Sequence, residues 1–276
     1  MPELPEVEAV VRTLRPFVRG RKIIRVGVLH PIAVRPSSGK GADREAARLE
    51  RELPGRRIKD VTRLGKFLLL HLDRGVLIMH FRLDGQLVWF DSQKTHGHID
   101  VAIIFRQGTL GFVDRRHFGR VELYDDAAKA PSLGKLGVDP LKPEFTCKHF
   151  AALAAKSSMP LKQFLLDQSK IAGIGNIYSN EAMWLARLKP MRRANSLSAA
   201  EAARLHKSIG TVLRRALECC LHPAPNFRDP NWWFQGIEDV LAVYGREGKP
   251  CKRRDGTVQR TAQGGRSTFW CKGCQK

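Results

Sequence analysis

No stretch of this 276-residue chain approaches the roughly 18 consecutive apolar residues of a membrane-crossing helix. Its opening lacks the charged-then-apolar pattern of a secretory signal. Both absences argue against membrane insertion and export. Acidic residues are scarce: 27 Asp and Glu face 48 Lys and Arg, a formal charge of +21. Such an imbalance in a chain of ordinary globular composition calls for a polyanionic partner. The basic residues are spread along the chain and not gathered on one amphipathic helix, which favours nucleic acid over a lipid surface. Cysteine is too sparse and too unevenly placed for a disulfide framework. Cys219 and Cys220 are adjacent, Cys147 stands alone, and Cys251, Cys271 and Cys274 crowd the carboxyl end. With no export signal, that placement reads as a reducing cytoplasm and a candidate metal site. Internal repeats and low-complexity segments are absent too.

What is present begins with MPELPEVEAV, an acidic start to a basic protein. Val7, Val10, Val11 and Leu14 recur at helical spacing from Glu3 to about Arg15, with Pro2 before the first turn and Pro16 as a stop. From about Ile23 to Tyr124 the pattern changes to short strand-like runs, FLLLHL, VLIMHF, GQLVWF, HIDVAIIF, TLGFVD and GRVELY, divided by polar turns and one Arg-rich loop. AKAPSLGKLGVDPLKPEF, with three prolines and two glycines, reads as a linker. Helical runs follow, HFAALAAK, PLKQFLLDQ, NIYSNEAMWLARL and SAAEAARLHKSIGTVLRRALECC, and the last 30 or so residues return to short strands. The expected division is a β-domain over residues 1–125, a linker over 126–145, a helical domain over 146–244 and a hairpin over 245–276.

The tail carries a legible chemical signal. It ends in C-x-x-C, Cys271 and Cys274, with Cys251 about twenty residues earlier. Zinc ribbons use two such pairs, because four soft ligands on two tight turns close a tetrahedral site. Here the first pair is incomplete, and Asp255 is the nearest residue able to supply an anionic ligand. Two outcomes stay open: zinc on three cysteines completed by Asp255 or water, or a ribbon that folds without metal. Nine Lys and Arg between Arg246 and Lys276, against Glu247 and Asp255, suit the segment to a phosphate backbone. In LLDQSKIAGIGNIYSNEAMW a helix ending near Gln168 leads through Gly173 and Gly175 to a new helix opened by Asn176. Its free N–H groups suit a phosphate, although a plain packing corner between helices has the same sequence pattern.

PELPEVE, RLGKFLLLHL, DRRHFGR, LGVDPL, DQSKIAGIGNIYSNE and VYGREGKPC…GGRSTFWCKGCQK occur in one order from Pro2 to the last residue. Together they closely resemble the formamidopyrimidine-DNA glycosylases. The resemblance implies an α+β fold: an N-terminal, helix-flanked antiparallel β-sandwich, then a helix–two-turns–helix domain with a zinc-finger-like β-hairpin. It implies a monomer acting on damaged double-stranded DNA in the cytoplasm, at the nucleoid. The implied activity is excision of oxidised bases followed by β,δ-elimination at the abasic site.

The resemblance also assigns roles. Removal of Met1 frees Pro2 as the amine nucleophile, Glu3 becomes the acid/base beside it, and Glu6 a structural acid. Lys66 matches the lysine proposed to donate a proton in β-elimination, and Arg266 the finger arginine that clamps phosphates and assists δ-elimination. Lys162, Asn176, Tyr178, His96 and His117 fall on DNA-contacting positions. The wedge that fills the gap left by an extruded nucleotide maps to Leu83, Arg116 and Phe118. Leu83 stands where the family has methionine, Asp84 where it has a small residue, His117 where it has arginine and Arg115 where it has proline. The loop that closes over 8-oxoguanine is shortened to PNWW, with core packing or base stacking open to Trp232 and Trp233. Two other readings remain: an endonuclease VIII-like preference for oxidised pyrimidines, and a non-catalytic binder of damaged DNA.

Overall fold

The computed structural model describes residues 2–34, 41–92, 98–229, 232, 234 and 237–276. The chain divides into two compact units, Met1–Gly134 with Pro223–Phe234, and Lys135–His222 with Gln235–Lys276.

The first unit opens with α1, Leu4–Val18, whose Leu4, Val7, Val10, Val11, Leu14 and Val18 are buried. The helix continues one turn beyond the expected stop. Pro16 removes a single N–H donor near the end, and burial of Val18 outweighs that loss, contributing roughly 1.5–3 kcal/mol for a side chain of this size. Two antiparallel sheets follow. One has the order β1 (Ile23–Val28), β6 (Ile99–Phe105), β7 (Gly108–Val113), β5 (Gln86–Phe90); the other has β2 (Ile58–Leu64), β3 (Phe67–Leu72), β4 (Val76–His80), β8 (Arg120–Tyr124). α1 lies on β2 and β3, and α2, Ala42–Glu52, lies on β1. These are the sheets of the expected helix-flanked sandwich. The sequence reading missed α2 because its apolar face amounts to Ala46 and Leu49 in an otherwise charged run. Every residue of β6 is buried, Asp100 included. Residues 223–229 return to β5, where Trp89 N–H donates to the Phe227 carbonyl at 2.6 Å.

The second unit holds α3 (Cys147–Ala155), α4 (Leu161–Leu166), α5 (Asn176–Leu185), α6 (Ala199–Cys220) and α7 (Ile237–Val240). Phe145, Phe150, Phe164, Leu165, Ile209 and Leu213 are among its core. Ser198 and Glu201 form a reciprocal capping box that starts α6. The segment from Lys135 belongs to this unit. Gly137 N–H donates to the Gln168 carbonyl at 2.8 Å, and Val138 bridges Ile171. A β-carbon on Gly137 would stand 2.3 Å from the Lys170 carbonyl oxygen, so the close approach requires glycine. The unit ends in an antiparallel hairpin of β9 (Val258–Gln263) and β10 (Arg266–Cys271).

Candidate active site and nucleic-acid interface

In the first unit, Pro2 and Glu3 are buried at the head of α1, and Glu3 is 1% exposed. The Glu3 backbone N–H donates to Glu6 Oε2 at 2.8 Å. That amide joins Pro2 to Glu3, so the Glu6 carboxylate fixes the peptide carrying both. Glu6 and the Glu3 side chain both serve the helix start, as the two halves of a reciprocal capping box at the buried end of the chain. One turn on, Arg63 Nε donates to Glu8 Oε2 at 2.8 Å and Arg63 Nη1 to the Gly65 carbonyl at 3.1 Å. Burial works to raise the Glu8 carboxyl, but hydrogen bonds from Arg12 and Arg63 outweigh it and hold it below the usual carboxylate range. The bonds from Arg63 anchor the β2–β3 turn that presents Lys66, itself 9% exposed.

His80, at the end of β4, was not singled out from the sequence. Desolvation, reinforced by the positive charges of Arg82 and Lys66, lowers its imidazole to about 3. It is neutral at physiological pH and accepts a hydrogen bond from the Arg82 N–H at 3.0 Å.

Two turns present the wedge residues, and both contain a non-glycine residue in the left-handed region. Arg82 has φ +54° beside Leu83, and His117 has φ +54° between Arg116 and Phe118. Leu83 and Phe118 are among the few large apolar side chains left exposed. Backbone held in such a conformation costs of order 1–3 kcal/mol and persists only where neighbours over-determine it. Asp114 does this in the second turn, its carboxylate accepting from Arg116 N–H at 2.9 Å and Gly119 N–H at 2.6 Å. Arg116 lies over the Phe118 ring at 4.8 Å and pairs with Asp84 at 3.6 Å. The acid that replaces a small residue thus ties one wedge turn to the other. His117, expected to contact DNA, is instead turned toward Asp100, with Nδ1 and Oδ1 2.6 Å apart. Burial pushes the Asp100 carboxyl up, with Asp114 adding to the effect and His117 opposing it. His96 and Trp233 lie outside the described residues. Trp232 is core: its Nε1 donates to the Leu87 carbonyl at 2.7 Å, and it packs edge-on against Phe227.

In the second unit, two positions expected at the DNA surface are buried. Lys162 is fully enclosed, with Nζ donating to the Ser267 carbonyl at 2.6 Å and Thr268 Oγ1 at 2.7 Å. Desolvation, helped by Arg266, lowers its ammonium to about 8. The spacing MPLKQ could not reveal that the hairpin folds over this lysine. It acts as a strut under β10, whose Arg266 is exposed. Tyr178 is 1% exposed and belongs to the helical core; with Glu181 and Trp184 it lines a cavity of about 180 Å³. The core claims its ring because α5 turns that face toward α6.

Asn176 does stand at the opening of α5, after Gly173 at φ +103°. Gln168 sets this connection, accepting from Gly173 N–H at 2.8 Å and donating to the Ile174 carbonyl at 2.8 Å. Asn176 Oδ1 is buried without a hydrogen-bond partner among the described residues. Asn180 Oδ1 accepts from Phe269 N–H at 3.2 Å, joining α5 to the hairpin. Glu181, also missed, accepts from Ala242, Val243 and Tyr244 N–H at 2.8, 2.9 and 2.8 Å. Burial raises its carboxyl, against those three bonds.

The sulfur atoms of Cys251, Cys271 and Cys274 lie within 4.8 Å of one another, all three residues buried. Asp255 is exposed and does not join them, which corrects its place in the expected ligand set. The reason is local: after Arg254, at φ +61°, its backbone packs against Gly273 while its side chain stays in solvent. Arg253 fills the space beside the thiols. It stacks on Trp184 at 4.1 Å, donates to the Trp184 and Leu185 carbonyls at 2.6 and 3.0 Å, and contacts Cys274 Sγ at 3.8 Å. Three buried thiols on two turns suit a soft divalent ion in a three-ligand set.

A helix-flanked sandwich with a buried Pro-Glu terminus, and a helical unit closed by a cysteine hairpin, define a two-unit α+β architecture. Residues 1–121 match the formamidopyrimidine-DNA glycosylase N-terminal domain, and residues 136–221 the H2TH domain of the same proteins. The formamidopyrimidine-DNA glycosylase of Herpetosiphon aurantiacus is 38% identical over 279 residues, covering all of both chains. The Lactococcus lactis glycosylase, solved non-covalently bound to DNA containing an abasic site, superposes with a TM-score of 0.87 at 31% identity over 99% of each chain. The same bacterium's enzyme with DNA containing an oxidised pyrimidine gives 0.85 at 32% identity over all of both chains. The chain belongs to the formamidopyrimidine-DNA glycosylase family. Among the described residues, no helix is long and apolar enough to cross a membrane.

Proposed function

We propose that this protein removes oxidised bases from duplex DNA and then cleaves the strand at the abasic site, with Pro2 as nucleophile. The observation that carries the reading is the head of α1, where Glu6 holds the Pro2–Glu3 peptide at 2.8 Å and Glu3 is shielded from solvent. A terminal amine titrates near roughly 7.7–8.0, against about 10.4 for lysine, so a useful fraction is unprotonated at neutral pH once Met1 is removed. The Pro2 nitrogen bonds to C1′ as the base departs with the glycosidic electron pair and a proton. Glu3 protonates the sugar ring oxygen, the ring opens, and the secondary amine becomes a cationic iminium. That cation acidifies the C2′ proton. Its loss expels the 3′ phosphate, with Lys66 returning a proton, and loss of the C4′ proton then expels the 5′ phosphate beside Arg266. Hydrolysis of the iminium regenerates Pro2.

Leu83, Arg116 and Phe118 fill the gap left by the flipped nucleotide, and the opening of α5 at Asn176 takes a phosphate. Lys162 and Tyr178 act by holding the hairpin and α5, and His117 by holding its turn. Cys251, Cys271 and Cys274 are the residues that would hold one zinc ion. When bound, the ion supplies cross-linking of the hairpin, leaving Arg266 on a fixed strand. The protein acts in the cytoplasm, at the nucleoid, as a monomer.

The reading is tested by borohydride trapping on duplexes holding 8-oxoguanine opposite cytosine, or dihydrouracil. A covalent adduct is expected, lost in Pro2→Gly and Glu3→Gln while undamaged-DNA binding persists. Undiminished excision in both variants would overturn the assigned roles. No adduct from protein lacking Met1 would favour a non-catalytic damage binder. A second reading concerns the lesion. Trp232 is committed to the core on β5, and the loop beside it is short, so formamidopyrimidines and oxidised pyrimidines are excised faster than 8-oxoguanine. A clear preference for 8-oxoguanine would sink that reading.

A further inference from the structure

We propose that His30, Asp100 and His117 form a binding site for a divalent transition-metal ion at the root of the turn that carries Arg116 and Phe118. The ligand atoms of the three residues lie within 4.8 Å of one another, and they share no residue with the cysteine cluster. Three separate elements are brought together. Asp100 is fully buried on β6. His30 follows β1 and is fixed beside it, because the Leu29 and His30 N–H groups both donate to the Asp100 carbonyl, at 2.9 and 3.2 Å. His117 comes from the β7–β8 turn, at φ +54°. Its ring centroid is 4.6 Å from that of His30.

The hydrogen bond between His117 and Asp100 accounts for one carboxylate oxygen only. The other, Oδ2, is buried with no hydrogen-bond partner among the described residues. Buried carboxylate oxygens are costly unless hydrogen-bonded or ligated to a cation, so a plain His–Asp pair leaves this atom unexplained. An ion bound by Asp100 and the two imidazoles satisfies it. Two nitrogens and one carboxylate oxygen suit zinc, nickel, cobalt or copper better than magnesium or calcium. His30 is exposed, which gives an ion its route from solvent and leaves room for water to complete the shell. At metal–ligand distances of about 2.0–2.2 Å, ligand atoms in a tetrahedral site stand roughly 3.4 Å apart. Rotation of the surface His30 ring closes the difference. On binding, the ion is held by Asp100 through Oδ2 and by one ring nitrogen of each histidine, and any proton displaced from a ligating nitrogen passes to solvent. The wedge turn is then restrained by the ion as well as by Asp114.

The experiment adds zinc chloride to the full chain labelled with ¹⁵N-histidine and follows the imidazole nitrogens by NMR. Signals are assigned with His30→Ala and His117→Ala. Expected is a saturable shift of both rings beyond the equivalent taken up by the cysteines. In calorimetry His30→Ala, a surface change that leaves circular dichroism unaltered, weakens this binding at least tenfold. Binding at the thiols, read by cobalt–thiolate absorption, is unchanged in that variant. Unshifted rings at millimolar zinc, or unchanged stoichiometry and affinity in His30→Ala, would overturn the proposal.

Discussion

Replacing Lys162 by methionine isolates the cost of enclosing an ammonium under the hairpin. In the native protein its titration falls from the ordinary 10.5 to about 8, so between those values the unfolded chain binds the extra proton. Stability must therefore rise with pH through that window. Below about 8 the lysine is charged in both states and the native protein bears the whole penalty; above 10.5 it is neutral in both and the penalty is gone. The difference, about 2.5 pH units at 1.36 kcal/mol each, sets a ceiling of about 3 kcal/mol, of which a real protein realises part. Lys162→Met has no such group, but it leaves the Ser267 carbonyl and Thr268 hydroxyl without their donor, at roughly 1–3 kcal/mol each. The variant should thus be no more stable than wild type at pH 7 and should fall behind it as the pH approaches 10. Urea unfolding of both proteins, followed across pH 7 to 10, reads the gap directly. Parallel pH profiles would show that Lys162 titrates normally and that its burial does not depress it.

Glu181→Ala withdraws the acceptor from three backbone N–H groups and should cost roughly 3 kcal/mol or more, seen as a lower urea midpoint. Asp84→Ala frees Arg116; because the pair is half-exposed at 3.6 Å, stability should change by under about 1 kcal/mol. Duplex binding should tighten and the salt dependence steepen by up to about one ion. Purified protein should carry one zinc per chain by elemental analysis, and Cys271→Ser should lose it together with strand cleavage.

Much of the first unit was legible because β3 to β8 announce themselves by short apolar runs bounded by turns, and β3 begins and ends where FLLLHL does, whereas β1 and the mixed IKDVTRL of β2 left no such run. The positions proposed as catalytic were read from a different kind of signal: PELPEVE and RLGKF are local words whose chemistry depends on their neighbours in sequence. What failed were assignments that depend on which face a helix buries. NIYS gives no sign that Tyr178 belongs to the core, and MPLKQ none that a hairpin over a hundred residues later closes over Lys162. The helix α2 was missed for the converse reason, that it buries too little to leave a periodic trace.

Two positions at which the resemblance implies a departure from the family pattern, Asp84 and His117, and one residue beside the incomplete cysteine set, Arg253, have a partner within this chain. Asp84 engages Arg116, so the substituted wedge turn is tethered and not merely altered. His117 engages Asp100, which turns a position expected to meet DNA into one that roots its own turn. Arg253 stacks on Trp184 and reaches Cys274, placing a cation beside a thiol set that lacks one cysteine. Restoring one departure alone should therefore strand its partner: Asp84→Gly leaves Arg116 loose, and His117→Arg deprives buried Asp100 of its hydrogen bond. The paired reversals are the informative ones, because if each departure is coupled to its partner, the two single changes will not add.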